Sequence, residues 1–332
     1  MDRELVGTGG GQSTASPEPT TAESDFETAQ RELFEGVGLD ARSRYVDLAS
    51  PPVRTHVFEA GPTADDGAGH RDGGPPLLFV HGGAAFGAFL APLMAQLDDD
   101  RVIGFDRPGY GSSGGFRYTE GNLRRTNVDV IEGVLDEVGV ERVDLVGHSM
   151  GGYASTVFAL ARPDRVRRLV LVGACAGFPG ASPPTPLRLM TVPGLRRVLL
   201  RMAKPGEEGV LDVAEVFGER EAIQRYPAIV RAMAAEVSDP KSSTAGTSEL
   251  SAFFSIRGWH PSIRLHEDDL RGITQPTLVI WGEDDPIGSP DDVRDGVEAI
   301  PDVRFETTPT AHAPFLSRPD RCAALIRAFR EP

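Results

Sequence analysis

Several things are scarce in this sequence, and each scarcity closes off a class of protein. Two cysteines, Cys175 and Cys322, in 332 residues cannot build a disulfide framework or a cysteine-rich metal cluster. No stretch reaches the ~18 consecutive apolar residues of a membrane-spanning helix. The first 25 residues are rich in Gly, Ser, Thr, Pro and acids, without the basic start and apolar run of a signal peptide. Such a composition predicts a disordered tail. Positive charge is also short. The formal net charge is −15, the wrong sign for the phosphates of nucleic acid or for an anionic membrane surface. These absences predict a cytoplasmic protein with no nucleic-acid partner and no membrane partner; the oligomeric state is left open.

Lysine is nearly missing. Only Lys204 and Lys241 interrupt an otherwise all-arginine set of 34 basic residues, and acids come in runs such as Asp98-Asp99-Asp100. This pattern fits a GC-rich codon bias. It fits equally an acidic surface adapted to concentrated salt, where screening tolerates self-repulsion.

What is present is a repeated alternation. A short helix is predicted from Phe26 to Val37, then paired strands at 44–50 and 53–61 with a turn at Pro51-Pro52, then a polar loop at 63–76. LLFVH (77–81) and VIGFD (102–106) are continuous apolar runs, as parallel strands covered on both faces require. Val128, Ile131, Val134, Leu135 and Val138 recur at helical spacing within 119–138. VDLVGH (143–148) reads as a strand, 150–161 as a helix, and 167–174, 277–282 and 303–308 as further strands. A last helix carries Cys322, Leu325, Ile326 and Phe329 on one face. Strands alternating with helices predict an α/β fold, a mostly parallel central sheet flanked by helices. The pattern breaks between 178 and 267, a Pro-interrupted segment with helical signals and no convincing strand. The chain therefore divides into a tail (1–25), a core (26–177), a helical insertion (178–267) and the rest of the core (268–332).

Two segments match G-x-S-x-G, at 147–151 and 111–115. The pattern has a mechanism only where a strand ends at the serine and a helix starts directly after it, so that a sharp turn lifts the hydroxyl above the sheet. LVGHSMGG (145–152) meets this and points to Ser149 as a nucleophile. GSSGG does not: Arg107-Pro108 turns the chain away from the preceding strand and no helix follows before about Thr119. Gly109, Gly111 and Gly114 also spell G-x-G-x-x-G, but a dinucleotide site would open a helix at once. No cofactor and no metal are expected.

A nucleophilic serine needs a base and an orienting acid. Of seven histidines, His312 follows the last strand and falls at the same carboxyl edge as Ser149. His148 adjoins the serine, but neighbours on a strand point opposite ways. Glu283, Asp284 and Asp285 follow the strand TLVIWG and are the candidate acids.

The ordered motifs HGG (81–83), DRPGYGSS (106–113), GHSMGG (147–152), WGEDDP (281–286) and AHAPF (311–315) resemble the α/β-hydrolase superfamily over about residues 44–332. The resemblance implies Asp285 as the acid, with Asp284 its solvated neighbour, and an oxyanion hole from the backbone N–H groups of Gly83 and Met150. It implies that Asp106 and Arg107 hold their loop. It makes the insertion a cap, with Phe253, Phe254, Trp259 and Leu200 as candidate pocket residues. Haloalkane dehalogenases and epoxide hydrolases carry Asp where Ser149 stands. Proline iminopeptidases typically show H-G-G-P-G where this chain has His81-Gly82-Gly83-Ala84-Ala85. Carbon–carbon bond hydrolases often have Asn before the serine, where His148 stands. The expectation is a Ser-His-Asp hydrolase of a small carboxylic ester. A lactonase, thioesterase, perhydrolase, aminopeptidase or carbon–carbon bond hydrolase of the same fold is the alternative, and a non-catalytic binding protein is a further one.

Overall fold

The computed structural model describes residues 24–62, 74–174 and 176–331. The predicted tail lies outside the described residues except for its last two. Ser24 caps helix α1 (Asp25–Val37), taking the Glu27 N–H on its side chain while Glu27 reaches back, so Ser24 and Asp25 belong to the first helix and not to the predicted tail. Most of the predicted 63–76 loop, and Cys175, also lie outside the described residues.

The strands follow the expected order. An antiparallel pair, β1 (Arg42–Ala49) and β2 (Pro52–Ala60), leads into β3 (Leu77–Val80), short helix α2 (Ala91–Met94) and β4 (Val102–Phe105). Helix α3 (Glu120–Glu137), β5 (Val143–His148), α4 (Met150–Ala161) and β6 (Val166–Val172) come next. The sheet resumes with β9 (Thr277–Gly282), α12 (Pro290–Glu298), β10 (Val303–Thr308), α13 (Pro314–Ser317) and α14 (Pro319–Arg330). Spatial order is β1-β2-β4-β3-β5-β6-β9-β10. β1, β2 and β4 pair antiparallel and every other neighbour pair is parallel.

Strand alternation divides the core between two faces. Leu78, Val80, Leu145 and Val279 pack with α3 and α4 on one side. Leu77, Phe79, Val146, Leu278 and Ile280 pack with α1, α2 and α14 on the other, where Cys322, Leu325 and Ile326 supply the stripe seen in the sequence. Continuous apolar strands and a helix layer on each face are thus one fact. Among the described residues no helix is long and apolar enough to cross a membrane.

Between β6 and β9 lie helices α5 (Thr185–Met190), α6 (Pro193–Met202), α7 (Gly206–Val216), α8 (Arg220–Ile223), α9 (Pro227–Ser238) and α10 (Pro240–Phe253). The segment is helical as expected, with one correction. After α10 comes a small antiparallel pair, β7 (Phe254–Ser255) and β8 (Gly258–Trp259), followed by helix α11 (Glu267–Arg271). Two-residue strands are too short for an alternation signal.

Candidate active site

Ser149 sits at φ 54°, ψ −121°, between the end of β5 and the first residue of α4. A non-glycine residue in that region costs about 1–3 kcal/mol and is held only by its surroundings. The flanking glycines show what holds it. A Cβ on Gly147 would lie 2.4 Å from Ser155 Oγ, and one on Gly151 would lie 2.2 Å from the Val80 carbonyl oxygen. The turn therefore presses backbone against backbone, and only residues without a side chain fit on either side of it. The second G-x-S-x-G has another use: Ser113 is buried, accepts from the His56 N–H and donates to the Asp106 carbonyl, fixing its loop.

Two later strands bring the partners. Asp285 is buried just beyond β9 and takes the Ile287 N–H on Oδ1. His312 follows β10. Its Nδ1 is 2.9 Å from Asp285 Oδ2, and its Nε2 is 2.9 Å from Ser149 Oγ. Because an ionised carboxylate only accepts, the ring proton is assigned to Nδ1, where it donates to Asp285, and the bare Nε2 accepts from the Ser149 hydroxyl. Burial pulls the His312 pKa down, but the charge and hydrogen bond of Asp285, with Glu219, outweigh it and leave the imidazole above its ordinary value. Asp284 and Glu283 are exposed. The structure thus brings together the serine, acid and histidine picked from the sequence, across 163 residues of chain.

His148 does not turn away as alternation predicted. The elbow ends the strand at this residue, so the period-2 rule stops there. Its ring centroid is 5.1 Å from that of His312, and its Nε2 is 3.3 Å from the His312 carbonyl oxygen. Burial, then the nearby His312, hold its pKa well below the usual imidazole range, so it is neutral and contributes no charge.

The two residues expected to donate to an oxyanion lie side by side. A Cβ on Gly83 would sit 2.4 Å from Met150 Sδ, and one on Gly82 would sit 3.0 Å from Ser149 Cβ. The Gly82 carbonyl accepts from Arg107 Nη2 at 2.9 Å and faces His81 Nδ1 at 2.8 Å. His81 Nε2 accepts the Arg107 N–H, which fixes the other ring proton on Nδ1. Arg107, expected to hold its own loop, therefore also holds the peptide that carries the Gly83 N–H.

Beside Ser149 lies a cavity of about 90 Å³ with mostly apolar walls. The insertion covers it with Val213, Ala214, Phe217, Glu219, Ile223 and Met233. Phe253, Phe254 and Trp259, expected in the pocket, are not on this wall. Phe253 packs edge-on to Tyr153, Phe254 and Trp259 pack on each other, and the Trp259 indole donates to the Ala181 carbonyl. They are core between insertion and sheet, because large apolar side chains in a helical layer are buried by packing first. The side chain of Leu200 lies outside the described residues. Phe217 and Glu219 on this wall are not legible in the sequence. In EVFGERE they look like the end of an amphipathic helix, and no spacing marks them. Among the described residues, no three His, Cys, Asp or Glu side chains are grouped to hold a metal ion.

The family model described as alpha/beta hydrolase fold matches residues 75–319, so the chain belongs to that family. A 2-hydroxy-6-oxononadienedioate/2-hydroxy-6-oxononatrienedioate hydrolase of Cupriavidus pinatubonensis is 32% identical over 73% of this chain and 79% of its own length. A poly(3-hydroxyalkanoate) depolymerase of Ectopseudomonas oleovorans is 28% identical over 86% of this chain and 91% of its own. Among solved structures, an enol-lactonase from Burkholderia xenovorans superposes with a TM-score of 0.64 over 86% of this chain and 99% of that one, at 21% identity, a likeness of fold. The protein is a hydrolase of this fold. Hydrolases of 2-hydroxy-6-oxononadienedioate stand among its relatives even though His148 occupies the position before the serine.

Proposed function

We propose that this member of the alpha/beta hydrolase family transfers an acyl group to water through a Ser149 acyl-enzyme, and that the bond it breaks joins a carbonyl carbon to a carbon leaving group. The observation that carries the acyl-transfer part is the unbroken relay from Ser149 Oγ to His312 Nε2 and from His312 Nδ1 to Asp285 Oδ2, each step 2.9 Å. Support for the carbon–carbon bond comes from relatives such as the Cupriavidus hydrolase.

In this reading His312 takes the serine proton as Oγ attacks the carbonyl carbon, and the Gly83 and Met150 N–H groups receive the oxyanion. Collapse expels the leaving fragment, which accepts the proton from His312 Nε2. Water then gives a proton to the same nitrogen, adds to the acyl carbon and releases the acid, returning Ser149. Asp285 keeps the imidazole in one tautomer and offsets its transient charge. Backbone donors of this kind are each worth ~3 kcal/mol in other hydrolases. The insertion acts as the cap over the substrate, and the location is cytoplasmic.

Ester hydrolysis is the second reading, and one observation favours it. A dioate substrate carries two carboxylates, yet among the described residues no lysine or arginine lines the cavity beside Ser149, and Glu219 does. The deciding assay sets a 2-hydroxy-6-oxo-dienedioate against p-nitrophenyl butyrate with wild-type protein and Ser149→Ala. Turnover of the first substrate, abolished in the variant, supports the carbon–carbon reading. Turnover of the ester alone moves the protein to the second, and turnover of both that survives Ser149→Ala overturns both.

A further inference from the structure

Three consecutive residues of the insertion close on the histidine loop. The Phe217 ring stacks on the His312 imidazole with centroids 5.2 Å apart and planes 26° from parallel. The Phe217 carbonyl accepts the His312 N–H at 3.5 Å. Gly218, at φ +70°, lies so close to the loop that a Cβ there would be 2.7 Å from Ala311 Cβ. Glu219 takes the Ala313 N–H on Oε1 at 2.5 Å. This turn connects α7 to α8, and it is held internally by the Glu219 N–H on the Ala214 carbonyl.

Glu219 is 5% exposed and is an acid on an otherwise apolar wall. A carboxylate so placed has lost most of its hydration. What it gains is one charge-assisted hydrogen bond to the peptide that follows the histidine, and proximity to the imidazole. The titratable groups facing that ring are Asp285 from the loop after β9, His148 at the end of β5, and Glu219 from the insertion. His148 is neutral, so two carboxyl groups on different elements share the one ring.

We infer that Glu219 is a positioning residue for the general base: from the insertion it fixes the His312–Ala313 peptide and sets a second negative charge beside the imidazole, so the relay is complete only when the insertion is seated on the core. The inference rests on the reading of His312 as the base. It adds a link absent from the three-residue relay, a carboxylate that acts through His312. Burial is the largest cause that raises the Glu219 carboxyl, to about 7 after the opposing pull of the Ala313 hydrogen bond and of His312 and the further rise from Asp285. A cationic imidazole favours its ionised form.

The test separates the hydrogen bond from the charge. Glu219→Gln keeps an acceptor for the Ala313 N–H and removes the charge; Glu219→Ala removes both. The His312 ring is titrated by NMR in wild type and both variants, and kcat and KM are measured across pH. The expected result is a downward shift of the His312 pKa in both variants, of up to about one unit. The acid limb of kcat follows it to lower pH. Glu219→Ala loses kcat at least about tenfold with KM within about twofold, and Glu219→Gln recovers most of that loss. Should Glu219→Ala fail to fold, the Gln titration decides. A His312 that titrates at its wild-type pH in Glu219→Gln, or wild-type kcat in a folded Glu219→Ala, overturns the inference. Fluorophosphonate labelling of wild-type Ser149 tests the hydrolase reading separately: a chain that is not labelled loses that reading and this inference with it, whereas a labelled chain whose His312 does not shift in Glu219→Gln loses this inference alone.

Discussion

The Arg107 guanidinium and the Glu249 carboxylate form an ion pair in which neither side chain is more than 2% exposed. Arg107 leaves the end of β4 and Glu249 comes from α10, so the pair ties the sheet edge to the insertion. Tyr110 donates its hydroxyl to the same carboxylate, and the second guanidinium arm reaches the Gly82 carbonyl. In a trans peptide the C=O and the next N–H point opposite ways. Holding the Gly82 oxygen therefore aims the Gly83 N–H.

Removing one member of a buried pair leaves a charge without compensation, at about 3–5 kcal/mol. Glu249→Ala is expected to lose stability on that scale in urea denaturation. Tyr110→Phe, which removes one hydroxyl donor, is expected to cost about 1 kcal/mol. Arg107→Lys keeps the charge but not the fork that serves Glu249 and Gly82 together. Its expected signature is a folded protein with kcat down about tenfold and KM little changed.

The elbow makes a steric prediction. Gly151→Ala drives a Cβ to 2.2 Å from a backbone oxygen of β3, where no side-chain rotation relieves it. More than about 3 kcal/mol should be lost, read as a lower melting temperature. Gly121→Ala, with nothing within 4 Å of its Cβ, should be neutral or slightly stabilising in helix α3.

Much of this site was legible in the sequence because parallel strands deliver their carboxyl ends to one edge. Ser149 and Asp285 each follow a run of buried, mostly apolar residues that could be counted, and His312 follows β10, a partly exposed edge strand that is the last of the series. The local turn after LVGHSMGG then separated Ser149 from Ser113. Contacts made by the insertion were not legible. Glu219 and Glu249 are two of 49 acids, and nothing in their spacing distinguishes them from solvated ones. Phe253, Phe254 and Trp259 misled for the opposite reason: aromatic residues signal burial, and burial in a core looks the same in sequence as burial against a substrate. His148 shows where the period-2 rule ends, at the residue before the backbone enters the elbow.

Glu236 makes a pH prediction. It is buried on α9, accepts from Ser242 at 3.0 Å, and burial raises its carboxyl from 4.5 to about 7. An acid whose folded pKa is raised binds its proton more tightly in the native state, so ionising it costs stability as pH climbs through that interval. Glu236→Gln should therefore raise the melting temperature above about pH 7 and have no effect below about pH 4.5. An equal gain at both pH values would contradict the assignment.

Salt gives another. Exposed pairs such as Arg271–Glu267 are weakened by screening, but such pairs are worth little. Self-repulsion at net charge −15 is screened at the same time and is the larger effect. The melting temperature should rise between low and molar KCl. A fall would show that the surface pairs dominate and would exclude salt adaptation.

The central claim is that Ser149, and not Ser113, is the nucleophile. Its most direct test is treatment of the folded protein with a fluorophosphonate, followed by peptide mass spectrometry to locate the adduct. The account predicts one adduct, on Ser149, lost in Ser149→Ala, strongly slowed in His312→Ala and retained in Ser113→Ala. A folded wild-type protein that carries no adduct, or carries it on Ser113, contradicts it.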